Sequence, residues 1–267
     1  MLSEPWMQRA LLVALFLSPL CSLLGVFVTA RRLSFFSDTV SHAALAGVAL
    51  GVWLGLADPT PVLILVSLAV AAAVFWLKEN TELLTDTIMA LLLSGSVAVG
   101  VIVLSLLRTR PGDIHGLLFG DILAVGPQEV WEAGFLLVAV GSGLFLHLSA
   151  LSLITAHEEM AHVCGVPVRR LNFLFIVALT VTVALSIRLL GIVLVTSLLV
   201  IPPASARNLS RSLRQQILYS LLFGLLGAFG GIVLAYVLNV PCGATIVLTS
   251  ILLFLASLTV RKVCLNR

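Results

Sequence analysis

The sequence predicts an all-α fold: a polytopic transmembrane helix bundle of about nine spans, forming one domain over residues 1–267. Composition is the first of three observations behind this reading. Apolar residues make up 60% of the chain and charged residues 10%, with a mean hydropathy of +1.19. A soluble domain carries about 25% charged and about 45–50% apolar residues, so this chain lacks the polar surface to cover a water-facing globule. A soluble enzyme, a nucleic-acid-binding domain and a disordered chain are excluded together. The second observation is a series of apolar runs near the roughly 20 residues that a helix needs to cross a bilayer. The third is a lopsided placement of Lys and Arg between those runs. The net charge of +3 is small and says nothing about an acidic partner.

The runs fall at 8–30, 38–57, 60–77, 86–107, 131–152, 173–188, 190–205, 216–238 and 244–260. Glu4 and Arg9 give no basic leader and no A-x-A cleavage site follows, so the first run reads as a retained span. In the second, Ala43, Gly47, Gly51 and Gly55 recur every four residues, a small-residue stripe that lets a neighbouring helix approach closely. The sixth and seventh runs need an argument. As one helix they would extend about 50 Å, well past the roughly 30 Å hydrocarbon core. Arg188 and Gly191 at the midpoint mark a break, and Pro202-Pro203 is expected to end the second half. A different arrangement of this pair would give eight spans. Two polar stretches interrupt the runs: Arg108–Val130, with a short helix expected around Leu117–Ala124, and Thr155–Arg170.

Orientation follows from the cations, which gather on the cytoplasmic side of membrane proteins. With the C-terminus cytoplasmic, nine spans place Arg31, Arg32, Lys78, Arg169, Arg170, Arg207, Arg211, Arg214, Arg261, Lys262 and Arg267 inside. Only Arg9, Arg108, Arg110 and Arg188 remain outside. The external side then holds Asp58, Asp113, Asp121, Glu129 and Glu132, an acidic mouth. Cys21, Cys164, Cys242 and Cys264 have no CxxC spacing, which argues against a disulfide framework or a thiolate metal site.

The residues with chemistry to offer are few. Asp38 and His42 open the second span four residues apart, so they share a helical face. A carboxylate with an imidazole is a partial ligand set for Zn²⁺ or Mn²⁺. The plainer alternative is that Asp38 caps the helix and His42 bonds a neighbouring carbonyl. Ionisable groups in spans are expensive and usually functional, which favours the ligand reading. His157-Glu158-Glu159-Met160-Ala161-His162 superficially suggests a zinc protease, but HExxH needs its histidines at i and i+4. Here they stand at i and i+5, about 140° apart, and no catalytic site is expected. His147 reads as a packed histidine inside the fifth span; His115, between Asp113 and Asp121, could bind metal weakly but reads better as part of an ordinary solvated loop.

Glu159-x-Ala161-x-x-x-Gly165 resembles the short EAA---G helix through which ABC importer permeases dock on their ATPases. Longer stretches extend the likeness. They are Arg31-Arg32-Leu33-Ser34-Phe35-Phe36-Ser37-Asp38-Thr39-Val40-Ser41-His42-Ala43, Leu118-Phe119-Gly120-Asp121-Ile122-Leu123-Ala124-Val125, and Gly191 through Arg207 with Ile201-Pro202-Pro203-Ala204-Ser205-Ala206. On these the chain resembles, along nearly its full length, the integral-membrane permeases of zinc and manganese ABC importers, with LFGDILAV closer to the zinc branch. A departure is Ser94, where zinc permeases often carry a histidine in the fourth span.

The resemblance implies a permease of the vitamin B12/metal-chelate type in the bacterial cytoplasmic membrane. It implies a homodimer, two ATPase subunits on the cytoplasmic face and an extracytoplasmic metal-binding protein. It implies that Asp38 and His42 contact the metal in transit, Zn²⁺ first and Mn²⁺ or Fe²⁺ as alternatives, with no resident cofactor. Glu158, Glu159, Met160, Ala161 and Gly165, within a coupling segment about 155–170, would meet the ATPase. Competing readings are a metal-chelate or siderophore permease, with a wider and less charged path, and an ion-driven secondary carrier, which would show inverted repeats. No clear repeat is present.

Overall fold

The computed structural model describes residues 5–107 and 125–265, and within them every regular element is a helix. The expected short helix at Leu117–Ala124, with His115, Asp113 and Asp121, lies outside the described residues. In chain order the helices are α1 (Pro5–Ala30), α2 (Ser34–Trp53), α3 (Thr60–Asn80), α4 (Thr85–Leu107), α5 (Pro127–Leu146), α6 (Leu148–Ala156), α7 (Glu158–Val163), α8 (Val168–Leu190), α9 (Ile192–Leu209), α10 (Leu213–Leu238) and α11 (Cys242–Leu265). Among the described residues nine are long and apolar enough to cross a membrane: all but α6 and α7.

α1, α2, α8 and α9 form the buried centre, while α3, α4, α5 and α11 are mostly exposed along their length. α1 lies against α9 and α10, α9 and α10 both meet α11, and α2 is held between α3 and α4. Small residues set these contacts, as expected where lipid removes the hydrophobic drive for helices to associate. A Cβ at Gly47 would fall 2.7 Å from Leu63 Cα, and one at Gly51 2.8 Å from Pro59 Cβ. The α2 stripe therefore seats α3. Gly55 is not part of it: the helix has ended, and Gly55 turns the chain at φ +70° with open space around it. Gly227 and Gly231 play the same part between α10 and α11, against Ser250 and Ile246.

α8 and α9 are separate helices joined through Gly191 alone, which gives nine candidate spans rather than eight among the described residues. Gly191 has φ +81° and ψ 162°, a region essentially reserved for glycine. Pro202-Pro203 does not end α9, which runs on to Leu209. Pro203 has no N–H for the carbonyl of Leu199, and Gly25 of α1 lies directly against that freed oxygen. A glycine on the neighbouring helix thus accommodates the defect, so the helix continues.

The fifth span also differs from expectation. α5 starts at Pro127, four residues early, and breaks at His147 (φ −103°, ψ 11°), after which α6 is a separate short helix. His147 is exposed at this break rather than packed. α2 begins at Ser34 with Leu33 as its N-cap, so Asp38 sits in the second turn and caps nothing.

Candidate functional site: an ionisable pair on α2 and the segment 155–170

Asp38 and His42 lie about 6 and 12 Å along α2 from its start, one turn apart, and are electrostatic neighbours. Both are half-buried. At about 100° per residue Gly47 points roughly opposite to Asp38, so the side of α2 that receives α3 is not the side that bears the pair. The α4 side is fixed by Thr39, whose hydroxyl donates to the Phe35 carbonyl at 2.9 Å and to the Met89 carbonyl of α4 at 3.2 Å. α2 is thus gripped on two sides while its ionisable face stays partly open. Among the described residues no group of three or more His, Cys, Asp or Glu converges. One copy of the chain offers one carboxylate and one imidazole here, too few groups for a closed cage. Ser94 on α4 is exposed.

Directly before α2, the turn carrying Arg31 organises the polar end of the bundle. Arg31 Nε donates to Thr155 Oγ1 (2.9 Å), Nη1 to Asn172 Oδ1 (2.9 Å) and Nη2 to the Leu151 carbonyl (3.4 Å). Its guanidinium lies 4.8 Å from the centroid of the Phe175 ring. One side chain so ties the α1–α2 turn to α6 and α8. Burial pushes Arg31 down to about 10, opposed by the nearby Glu158 carboxylate. Arg31 also borders a cavity of about 630 Å³ shared with Glu79, Thr155, Glu158, His162 and Asn172. Sequence reasoning assigns Arg31 only to the cytoplasmic charge bias and misses this role. The available signal is its place at a span end, just ahead of the next helix.

Within the expected coupling segment 155–170, residues Glu158–Val163 form the short helix α7. Gly165 (φ +75°) closes it: its N–H donates to the His162 carbonyl and that of Val166 to Ala161, the double bond of a Schellman cap. Ala161 is fully buried in a small apolar cluster with Ile154, Val168 and Leu171, so α7 is pinned by its alanine. Glu158, Glu159, Met160 and Val163 are exposed. The five residues of the segment therefore divide into an anchor (Ala161), a cap (Gly165) and a free surface. His157 and His162 hold no metal group with their neighbours among the described residues.

The opposite side of the bundle is held by Arg188. Its guanidinium lies 3.6 Å from Glu129 and 3.9 Å from Glu132, and donates to Thr60 Oγ1 at 3.1 Å. Glu129 also accepts from the Gly126 N–H at 2.7 Å, at the start of α5. Asp58 is held below the usual carboxylate range by the Thr60 hydroxyl and amide, with Arg188 adding to the effect. The described part of the acidic mouth is thus partly neutralised from within. These pairs are loose and part-exposed, a geometry worth about 1 kcal/mol or less each.

Known proteins share this helical frame. Residues 3–261 match the profile of the ABC 3 transport family. The high-affinity zinc uptake system membrane protein ZnuB of Haemophilus influenzae is 33% identical over 253 residues, covering 95% of this chain and 97% of that protein. The manganese transport system membrane protein MntC of Halalkalibacterium halodurans is 29% identical, covering 95% and 87%. Among solved structures, PsaBC from Streptococcus pneumoniae in complex with Fab aligns with a TM-score of 0.84 at 30% identity, over 95% of this chain and 91% of that one. The chain belongs to the ABC 3 transport family, as a multi-pass membrane protein and the permease component of a metal ABC importer.

Proposed function

We propose that this chain is the membrane-spanning subunit of an ATP-driven importer whose substrate is Zn²⁺. The observation that carries the reading is the half-buried Asp38–His42 pair on the central helix α2. A carboxylate oxygen and an imidazole nitrogen on consecutive turns replace part of the ion's water shell. Two ligands per copy bind weakly enough to release the ion, which conduction requires. The chain works as a homodimer in the bacterial cytoplasmic membrane with its C-terminus inside, and an extracytoplasmic protein delivers the metal. Hydrolysis belongs to two separate ATPase subunits, met by α7 and the rest of the segment 155–170, and the permease itself needs no resident cofactor.

Manganese is the second reading, favoured by the similarity to a manganese system protein over nearly the whole chain. The test is ATP-dependent uptake of radioactive Zn²⁺ by the assembled transporter in proteoliposomes, with Mn²⁺ as competitor. Uptake that excess Mn²⁺ barely reduces supports zinc. Equal competition transfers the assignment to manganese, and no ATP-dependent uptake of either ion sinks the importer reading.

A further inference from the structure

All twelve Asp and Glu side chains of this protein lie before residue 160: no side-chain carboxylate follows Glu159. Nine of the fifteen Lys and Arg residues do follow it. The ends of α9 and α11 come together within that stretch and build a hollow of about 470 Å³, bordered by Arg207, Asn208, Ser210, Arg211, Arg261 and Lys262. The frame is braced. Asn208 Nδ2 donates to Ser257 Oγ at 2.9 Å, linking α9 to α11. The Arg211 N–H is held by Gln215 Oε1 at 2.9 Å, and Ser212 caps α10. Among the described residues none of the four cationic side chains has an ion pair. Four like charges are therefore gathered on a fixed frame with nothing in the described chain to offset them.

We infer that this hollow binds the phosphate headgroup of an anionic phospholipid. The surface beneath it favours a lipid over a free phosphate or a protein. Leu248, Leu252 and Leu255 of α11 are 60%, 59% and 51% exposed and recur at the spacing of one helical stripe. Leu258, which borders the hollow, and Lys262 continue that stripe to the helix end. An acyl chain along the leucines brings its phosphate under the four cations. Basic pockets between helix ends at the membrane surface suit such headgroups, and the Arg forks add bidentate contacts. The site is independent of the metal path on α2.

The test is native mass spectrometry of the full-length chain presented with equal phosphatidylglycerol and phosphatidylcholine. Wild type should retain phosphatidylglycerol preferentially, and Arg207→Gln/Arg211→Gln/Arg261→Gln/Lys262→Gln should lower that preference on the order of tenfold or more. The milder pair Arg261→Gln/Lys262→Gln, at exposed positions, should show a smaller loss in the same direction and covers a folding failure of the quadruple variant. Lys78→Gln, an exposed cation at the end of α3, should change nothing. Equal retention of the two lipids by wild type overturns the inference, as does a preference that survives in both variants. Displacement of the lipid by excess inorganic phosphate would assign the hollow to a free anion and overturn the lipid. Unchanged lipid preference with loss of ATPase co-purification would make it a protein contact and overturn the lipid equally.

Discussion

Asp38 contributes a charge and His42 a lone pair, and the two losses are separable by substitution. Asp38→Asn keeps the size of the side chain but removes its charge, while His42→Ala removes the imidazole. Either change should lower metal uptake on the order of 10–100-fold, the scale seen when a metal site loses a supporting group, with insertion and ATPase assembly unchanged. Uptake at the wild-type rate in both variants would make the pair structural. Arg31 acts differently, as a tie between the α1–α2 turn, α6 and α8. Arg31→Ala strands the Asn172 amide oxygen and leaves the Leu151 carbonyl to the Thr155 hydroxyl alone, and a lost charge-assisted network of this kind costs about 2 kcal/mol. A lower thermal midpoint with reduced coupling of ATP hydrolysis to transport is the expected result. Arg31→Lys should rescue only part of it, since an ammonium cannot reach three acceptors as a fork does.

The elements differ in how far their residues alone betray them. Span number and the break at Gly191 were legible, because helix length against bilayer thickness is a hard constraint and a charge beside a glycine marks the surface. Pro202-Pro203 misled because the proline rule describes an isolated helix. Here the orphaned Leu199 carbonyl meets Gly25, a residue on a different helix far away in the chain. His147 misled for a related reason: periodicity runs smoothly through 131–152, and only the backbone shows the break. The pairing of Asp38 with His42 was visible as an i, i+4 spacing, whereas Arg31 with Thr155 and Asn172 joins residues more than a hundred positions apart. α7 illustrates both halves. Its cap glycine was readable, but the fully buried state of Ala161 was not, and this changes how the docking role should be tested. Ala161→Leu would overpack the cluster of Ile154, Val168 and Leu171, at a cost of about 1–3 kcal/mol, and would confuse folding with docking. Met160→Glu and Glu159→Lys alter only the exposed surface. Each should leave the thermal midpoint of the permease unchanged while lowering ATPase co-purification several-fold. Full co-purification with both would dismiss α7 as the docking element.

At the scale of the whole molecule, the proposed role of Asp38 and His42 raises the question of how two ligands would serve an ion that prefers four. Both glycine stripes are consumed inside one chain, Gly47 and Gly51 against α3 and Gly227 and Gly231 against α11, so in the proposed homodimer a second copy would approach elsewhere. The open face of α2 supplies a reason for it to come. A carboxylate and an imidazole facing lipid would be costly, whereas facing the same pair from a partner they line a shared polar route with four ligands. This arrangement can be tested without isolating a monomer. Two copies joined in tandem by a linker, one wild type and one carrying Asp38→Asn with His42→Ala, form a transporter with half of the ligands. If each copy conducts alone, uptake should fall to about half. A shared route predicts far less, on the order of a tenth or lower, because every ion meets the incomplete set. Uptake near half in a tandem protein that still hydrolyses ATP at the wild-type rate would separate the two paths, and the shared ligand set would no longer account for a dimer.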